Sequence, residues 1–389
     1  MVNYPMARNL LGWIWTLVAI CSSTTAFGQL TTVEAARLGL EPRWTVALHT
    51  SLQQPDKTSM MIWQSATPAK TSIEISAEGK KVVLDTNKLG EDGKPIGLEG
   101  AKAQAAMMAK RMKFAGLKPV ISESTSPNIY LLVTASDGAV EMLDAETGQS
   151  LWTTHVGKTS QPTMPAMMND KFVVVTNGST VYGLETLTGK SAFSFRSEDS
   201  PGAAATEING RIVVPSLTGK FIGYLTENQG IEPSRFVYGG RSIVRAAVNR
   251  NNHVVAVPVE PRFVFFFRIE PTTQTKSVAV IPTPVARLEA QGPIVTAPIA
   301  YEDSFIVCSR SGEIFRIVPD VGGDIKWVAS TGSVLYTSPL VAQNGVFIVT
   351  DAGELLAYDA TNGRVLTGWD TSLSGMKQVL SVTSDLNTV

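Results

Sequence analysis

The chain has 389 residues, 44% of them hydrophobic and 17% charged, with 33 basic side chains against 34 acidic ones. A net charge of −1 leaves no electrostatic footprint for nucleic acid, and the apolar content excludes a disordered chain. Two cysteines, Cys21 and Cys308, are too few for a disulfide framework.

Residues 1–28 read as a secretory signal. Arg8 supplies a positive start, Leu10 to Cys21 an apolar core, and Ala26 and Gly28 the small residues before a cut at Gln29. The apolar run is short for a membrane span. The rival reading is a lipid anchor at Cys21, but Ile20 stands where such a site wants a small residue. Cleavage after Gly28 leaves Cys308 as the one thiol. It lies in the apolar strand 305–309, where a small buried side chain is expected.

Residues 29–389 are expected to form one domain. Trp44 and its neighbours in 42–47 read as a lone final strand, and 60–64 and 71–75 as further short strands. Residues 77–119 break the pattern. Strong helix formers predict a helix near 97–115, stopped at Gly116. Ala101, Ala105, Met108 and Met112 fall on one stripe at helical spacing. Met107, Met108, Lys110, Arg111 and Met112 make this helix a candidate partner-binding or membrane-surface element. The plainer reading is an inserted helix that packs on the domain, and the remaining one a flexible loop.

From 120 to 375 the chain repeats. A strand closes on a Gly at Gly138, Gly178, Gly219, Gly312 and Gly353, roughly 40 residues apart except for one doubled interval. The copy hidden in that interval is 252–259, where Glu260 and Pro261 replace the Gly turn. A second marker, Trp152, Phe195, Phe236, Trp327 and Trp369, keeps phase with the first. Strands of period two between such turns predict an all-β fold, a β-propeller of four-stranded blades. Seven blades are expected, six from the full repeats and a closing blade from the two ends, 42–75 and 378–389. The alternative is an incomplete last blade. The strand 262–268, with Phe263, Phe265, Phe266 and Phe267, is apolar on both faces. It is expected between neighbouring blades.

Asp144, Thr147, Gly148 and Trp152 form a pattern that resembles the tryptophan-docking motif of PQQ-like, quinoprotein-type propeller repeats. Asp359 and Gly363 sit in a weaker copy, and Trp327 and Trp369 stand at the ends of other repeats. The resemblance implies that each Trp docks on a neighbouring blade. It points to BamB-like envelope scaffolds and to secreted PQQ-repeat proteins. Quinoprotein dehydrogenases share the repeat but carry a vicinal cysteine pair and calcium-binding acids. This chain has no vicinal cysteine pair.

His49, His155 and His253 show no metal-ligand spacing, and no hydrolase, phosphate-loop or redox motif appears. Asp137, Asp144, Asp351 and Asp359 recur in turns, where such residues cap their own backbone. Glu198–Asp199 and Glu302–Asp303 read as solvated turns. The expectation is a non-catalytic scaffold without cofactor or metal, secreted or periplasmic. Its partners would be envelope proteins, met through loops on one face and through the helix, with at most peripheral membrane contact. The alternatives are a propeller that senses a sugar or another small ligand and, behind it, a quinoprotein dehydrogenase.

Overall fold

The computed structural model describes residues 44–49, 59–77, 80–86, 96–226, 232–271, 282–320, 322–342 and 344–366. The signal segment, Trp369 and the 378–389 end lie outside the described residues. So does the part of the closing blade assigned to that end.

The architecture is a β-propeller, with one helix among the described residues. The described residues form six antiparallel sheets. The first holds β1 (Ser59–Ala77), β2 (Lys80–Asp85), β3 (Val120–Thr134), β4 (Ala139–Asp144) and β5 (Ser150–His155), in the order β2-β1-β3-β4-β5. The second to fifth sheets are four-stranded meanders, beginning at Met167, Thr206, Ala247 and Ile299. The sixth has three described strands from Leu340 to Asp359.

The core lies between the sheets. Leu132 and Met142 of the first sheet pack with Met168, Val173 and Leu184 of the second. The same arrangement recurs between the second and third, third and fourth, fourth and fifth, and fifth and sixth sheets. A blade is therefore apolar on both faces, as the Phe-rich strand shows. Phe266 packs its ring 5.5 Å from Phe305 of the fifth sheet, while Phe267 lies 4.7 Å from Phe221 of the third. Cys308 is fully buried in the layer between the fifth and sixth sheets, and burial pushes its thiol well above the ordinary range.

Two sequence expectations need correction. Strands 60–64 and 71–75 are not the missing strands of a closing blade. Both belong to β1, which pairs along its length with β3. Met60 to Gln64 supply the first strand of the first blade. After a register shift between Ser65 and Ala69, β1 runs on beyond the blade and forms a three-stranded extension with β2 and the start of β3. The excursion therefore begins in the sixties and leaves the blade between its first and second strands.

The second correction concerns the helix α1 (Gly97–Phe114), which packs on this extension. Its buried stripe is Ala101, Ala105 and Ala109, against Ile73, Ile75 and Leu84, with Met112 partly covered. Met108 is exposed, because small side chains let the helix lie close to the strands. The helix ends where Leu117 N–H donates to Met112 O and Gly116 takes φ +80°.

Candidate interaction surface

The repeat motif sets the spacing between blades. Trp152, in the last strand of the first blade, donates from Nε1 to Thr186 O of the second at 2.9 Å. Its indole covers Gly189, where a Cβ would stand 2.6 Å from the ring. Trp327 does the same to the sixth sheet, donating to Ala360 O at 2.9 Å and covering Gly363. Gly189 and Gly363 sit at φ +66° and +73°, so both the turn and the docked ring require glycine. Asp144 Oδ1 accepts from the N–H groups of Glu146 and Thr147, and Asp359 Oδ1 from Thr361 and Asn362, which holds the receiving turns in shape.

Gly148, in the first blade, receives Trp44. That indole donates to Ala145 O at 3.0 Å and covers Gly148 as Trp152 covers Gly189. Segment 44–49 is then fixed at its far end. Glu141, fully buried, accepts from His49 N–H at 2.8 Å and lies 2.8 Å from His49 Nδ1, while the His49 side chain is 65% exposed. Burial raises the Glu141 carboxyl, but hydrogen bonds from His49 and Ser150 outweigh it and leave the group below its ordinary value. A depressed carboxyl stabilises the fold fully above its unfolded value. That contribution is lost as pH falls through the folded one, below the ordinary range of a glutamate carboxyl. We expect Glu141→Gln to cost roughly 1–2 kcal/mol at neutral pH. The gap between variant and parent should close as urea titrations move to acid. A gap that stays constant with pH would refute this role.

The two sides of the blade array differ. On the side of the docking turns, polar side chains link each blade to the next. Trp63 Nε1 donates to Asp170 Oδ1, Asn169 Nδ2 to Glu207 Oε2, and Arg250 back to the same carboxylate, at 2.7–2.9 Å. Asn249, Asn251 and Asn252 donate to the backbone of Glu302, Asp303 and Ser304. Tyr301 reaches Asn344. This side is spent on holding blades together.

The opposite side carries the hairpin turns and the connections between blades. Here each connection bonds to a turn through its backbone, as Ser197 to Ser179, Ser242 to Ser216 and Leu335 to Arg310. Some side chains share this work, as Asn177 bonds to Lys158, Gln161 and Thr163, while others are left outward. Leu217, Ile243 and Tyr336 are exposed, and Gly202 lies against both Leu217 and the Ser242 carbonyl, which brings Leu217 and Ile243 to one place. Around them stand the ion pairs Arg235–Glu198, Lys220–Asp199 and Arg241–Glu260, at 2.6–3.2 Å. Arg310 lies 4.9 Å from the ring centre of Tyr336. An open depression is lined by Ser179, Arg196, Ser197, Glu198, Asp199 and Ser200. The arrangement offers an apolar centre with a charged rim, which suits protein recognition. The Glu198–Asp199 pair read as solvated in sequence is thus held by Arg235 and Lys220, and Glu302 by Arg316 at 2.8 Å.

Met107, Met108, Lys110 and Arg111 of α1 are exposed and stand apart from this loop side, on the extension, while Met112 is partly covered. Among the described residues no group of three or more His, Cys, Asp or Glu could hold a metal ion, and no helix is long and apolar enough to cross a membrane.

The family model described as outer membrane protein assembly factor BamB matches residues 107–230 and 277–386, together more than half of the chain. No curated protein matches it. Among solved structures, BamB from Moraxella catarrhalis is similar at 12% identity and TM-score 0.47, over 61% of this chain and 72% of that one. The computationally designed Ika8 protein is similar at 16% identity and TM-score 0.47, over 61% and 70%. The C-terminal WD40 domain of Sif2 is similar at 13% identity and TM-score 0.48, over 63% and 72%.

Proposed function

From membership of the family described as outer membrane protein assembly factor BamB, to which this chain belongs, we propose a non-catalytic propeller scaffold of the cell envelope, secreted or periplasmic. Its partners are envelope proteins, bound through the loop side. The carrying observation is the exposed Leu217 and Ile243 pair inside a rim of ion pairs, on the side that carries the hairpin turns and the connections between blades. Loops on a rigid scaffold are where recognition is placed, because they vary without disturbing the core. The opposite side is consumed by the blade-to-blade hydrogen bonds.

The test is crosslinking in envelope extract with the parent and with Leu217→Glu/Ile243→Glu. A defined envelope protein captured by the parent should be lost with the variant, by about tenfold or more. Capture of nothing, or equal capture by both, would overturn the reading. The polar depression at Ser179 to Ser200 favours a second reading, a propeller that takes a sugar or another small polar ligand. Calorimetric titration with neutral and acidic sugars addresses it, and heat lost on Arg196→Ala would support it.

A further inference from the structure

We propose that the free end of the inserted extension is a docking tip for an anionic phospholipid surface. This goes beyond the scaffold reading and uses a different part of the molecule. The tip is where α1 ends and β3 begins. Phe114, the last helical residue, is 84% exposed, and Met107, two turns earlier on the same side of the helix, is also exposed. The chain then turns through Gly116, and β3 opens with Val120 and Ile121, both exposed. Val120 stands opposite Ser76 and Ile121 opposite Ile75, so the end of β1 and the start of β2 lie at the same end. Phe114, Val120 and Ile121 therefore stand near one extremity of the extension, Val120 and Ile121 on opposite faces of the strand and Met107 about 10 Å back along the helix, while the helix's own packing face is already filled by Ala101, Ala105 and Ala109.

Along the helix and the turn into β3 the charge is one-sided. Between Glu99 and Glu123 the sequence has no acid and five bases, in a chain whose net charge is −1. Lys102 is paired with Glu123 at 3.3 Å. Lys110, Arg111, Lys113 and Lys118 are exposed and have no carboxylate partner among the described residues. Arg111 and Lys113 also complement the C-terminal end of the helix dipole, but one turn needs no more than that, and Lys110 and Lys118 lie outside that role. An exposed Phe and Met among exposed bases is the chemistry of a peripheral membrane anchor. The apolar groups enter the boundary of the acyl region and the bases meet anionic headgroups.

The test is co-sedimentation of the purified protein with phosphatidylcholine vesicles and with vesicles that also contain phosphatidylglycerol. Binding is expected only to the second kind, weakening as salt is added. Lys110→Glu/Arg111→Glu/Lys113→Glu should lower the partition coefficient on the order of a hundredfold. Phe114→Ser should lower it roughly tenfold. All four positions are exposed, so the variants should stay folded, the triple variant losing only the small stability that Arg111 and Lys113 give the helix end, and thermal unfolding serves as the control. Leu217→Glu/Ile243→Glu should bind vesicles like the parent, which separates this proposal from the scaffold reading. Absence of binding, equal binding to both kinds of vesicle, or binding retained by the triple variant would overturn it. So would a protein, and not lipid, captured at the tip.

Discussion

Trp327→Ala is expected to lower the unfolding free energy by about 3–5 kcal/mol, the range for removing a large aromatic from a packed site. Trp327 is 9% exposed, at the junction of the fifth and sixth sheets among Tyr301, Tyr358 and Ala360. Its removal opens a space the size of an indole over Gly363, whose backbone at φ +73° cannot collapse inward without losing the turn. The hydrogen bond matters less than the ring. Ala360 O also accepts from Arg316 Nη1 at 3.3 Å, so its carbonyl keeps a donor when the indole is gone. Trp327→Phe should therefore cost only about 1 kcal/mol from the lost N–H, plus what the smaller ring leaves unfilled. Gly363→Ala approaches the same junction from the other side. Its Cβ would lie 2.6 Å from the indole, and the residue would be strained at positive φ. A loss of roughly 2 kcal/mol or more is expected. Urea unfolding of the three variants measures this series. A Trp327→Ala variant within about 1 kcal/mol of the parent would mean that the blades are not held together by docking.

The propeller was legible in the sequence because its defining constraints are local. A turn that must enter positive φ leaves a Gly, and a Gly covered by an indole leaves a Trp at a fixed distance along the chain. Gly148, Gly189 and Gly363 with Trp152 and Trp327 are of this kind. The Phe-rich strand was legible for a similar reason, since alternation assigns each ring to a face and the rings contact the blades on those faces.

What depended on distant partners was not legible. Nothing near His49 announces Glu141, because the two are joined only when the Trp44 segment lies across the first blade. The polar links between blades are equally silent, since an Asn in a turn reads the same whether it caps itself or reaches a neighbour, as Asn249 does. The course of β1 was hidden for another reason. Thr67, Pro68 and Ala69 look like a turn, and the strand in fact continues through a register shift there. The helix was found because its residues favour it, but its buried face was misassigned. Hydrophobicity selected Met108, whereas close approach to a sheet selects Ala109.

Arg211 shows the same limit with the opposite sign in stability. It lies in the strand Arg211–Pro215, all of whose residues are buried, and is itself 2% exposed. Its Nε and Nη2 atoms have no hydrogen-bond partner, and burial draws the guanidinium below its ordinary value. A charge removed from water without a carboxylate repays none of its desolvation by pairing. The aliphatic part of the side chain, however, fills the space beside Val213 in a strand that must stay closely packed. Methionine keeps that part, has no donors to satisfy and adapts to irregular space. Arg211→Met is therefore expected to stabilise the protein by about 1–3 kcal/mol, read as a higher urea midpoint at unchanged slope. Arg211→Ala should destabilise it, because the cavity it leaves costs more than the charge it removes. The ordering Met above Arg above Ala follows only if the side chain is held for its bulk and not for its charge. If the Met variant is less stable than the parent, the guanidinium has an anionic or water-mediated partner in solution that outweighs its burial.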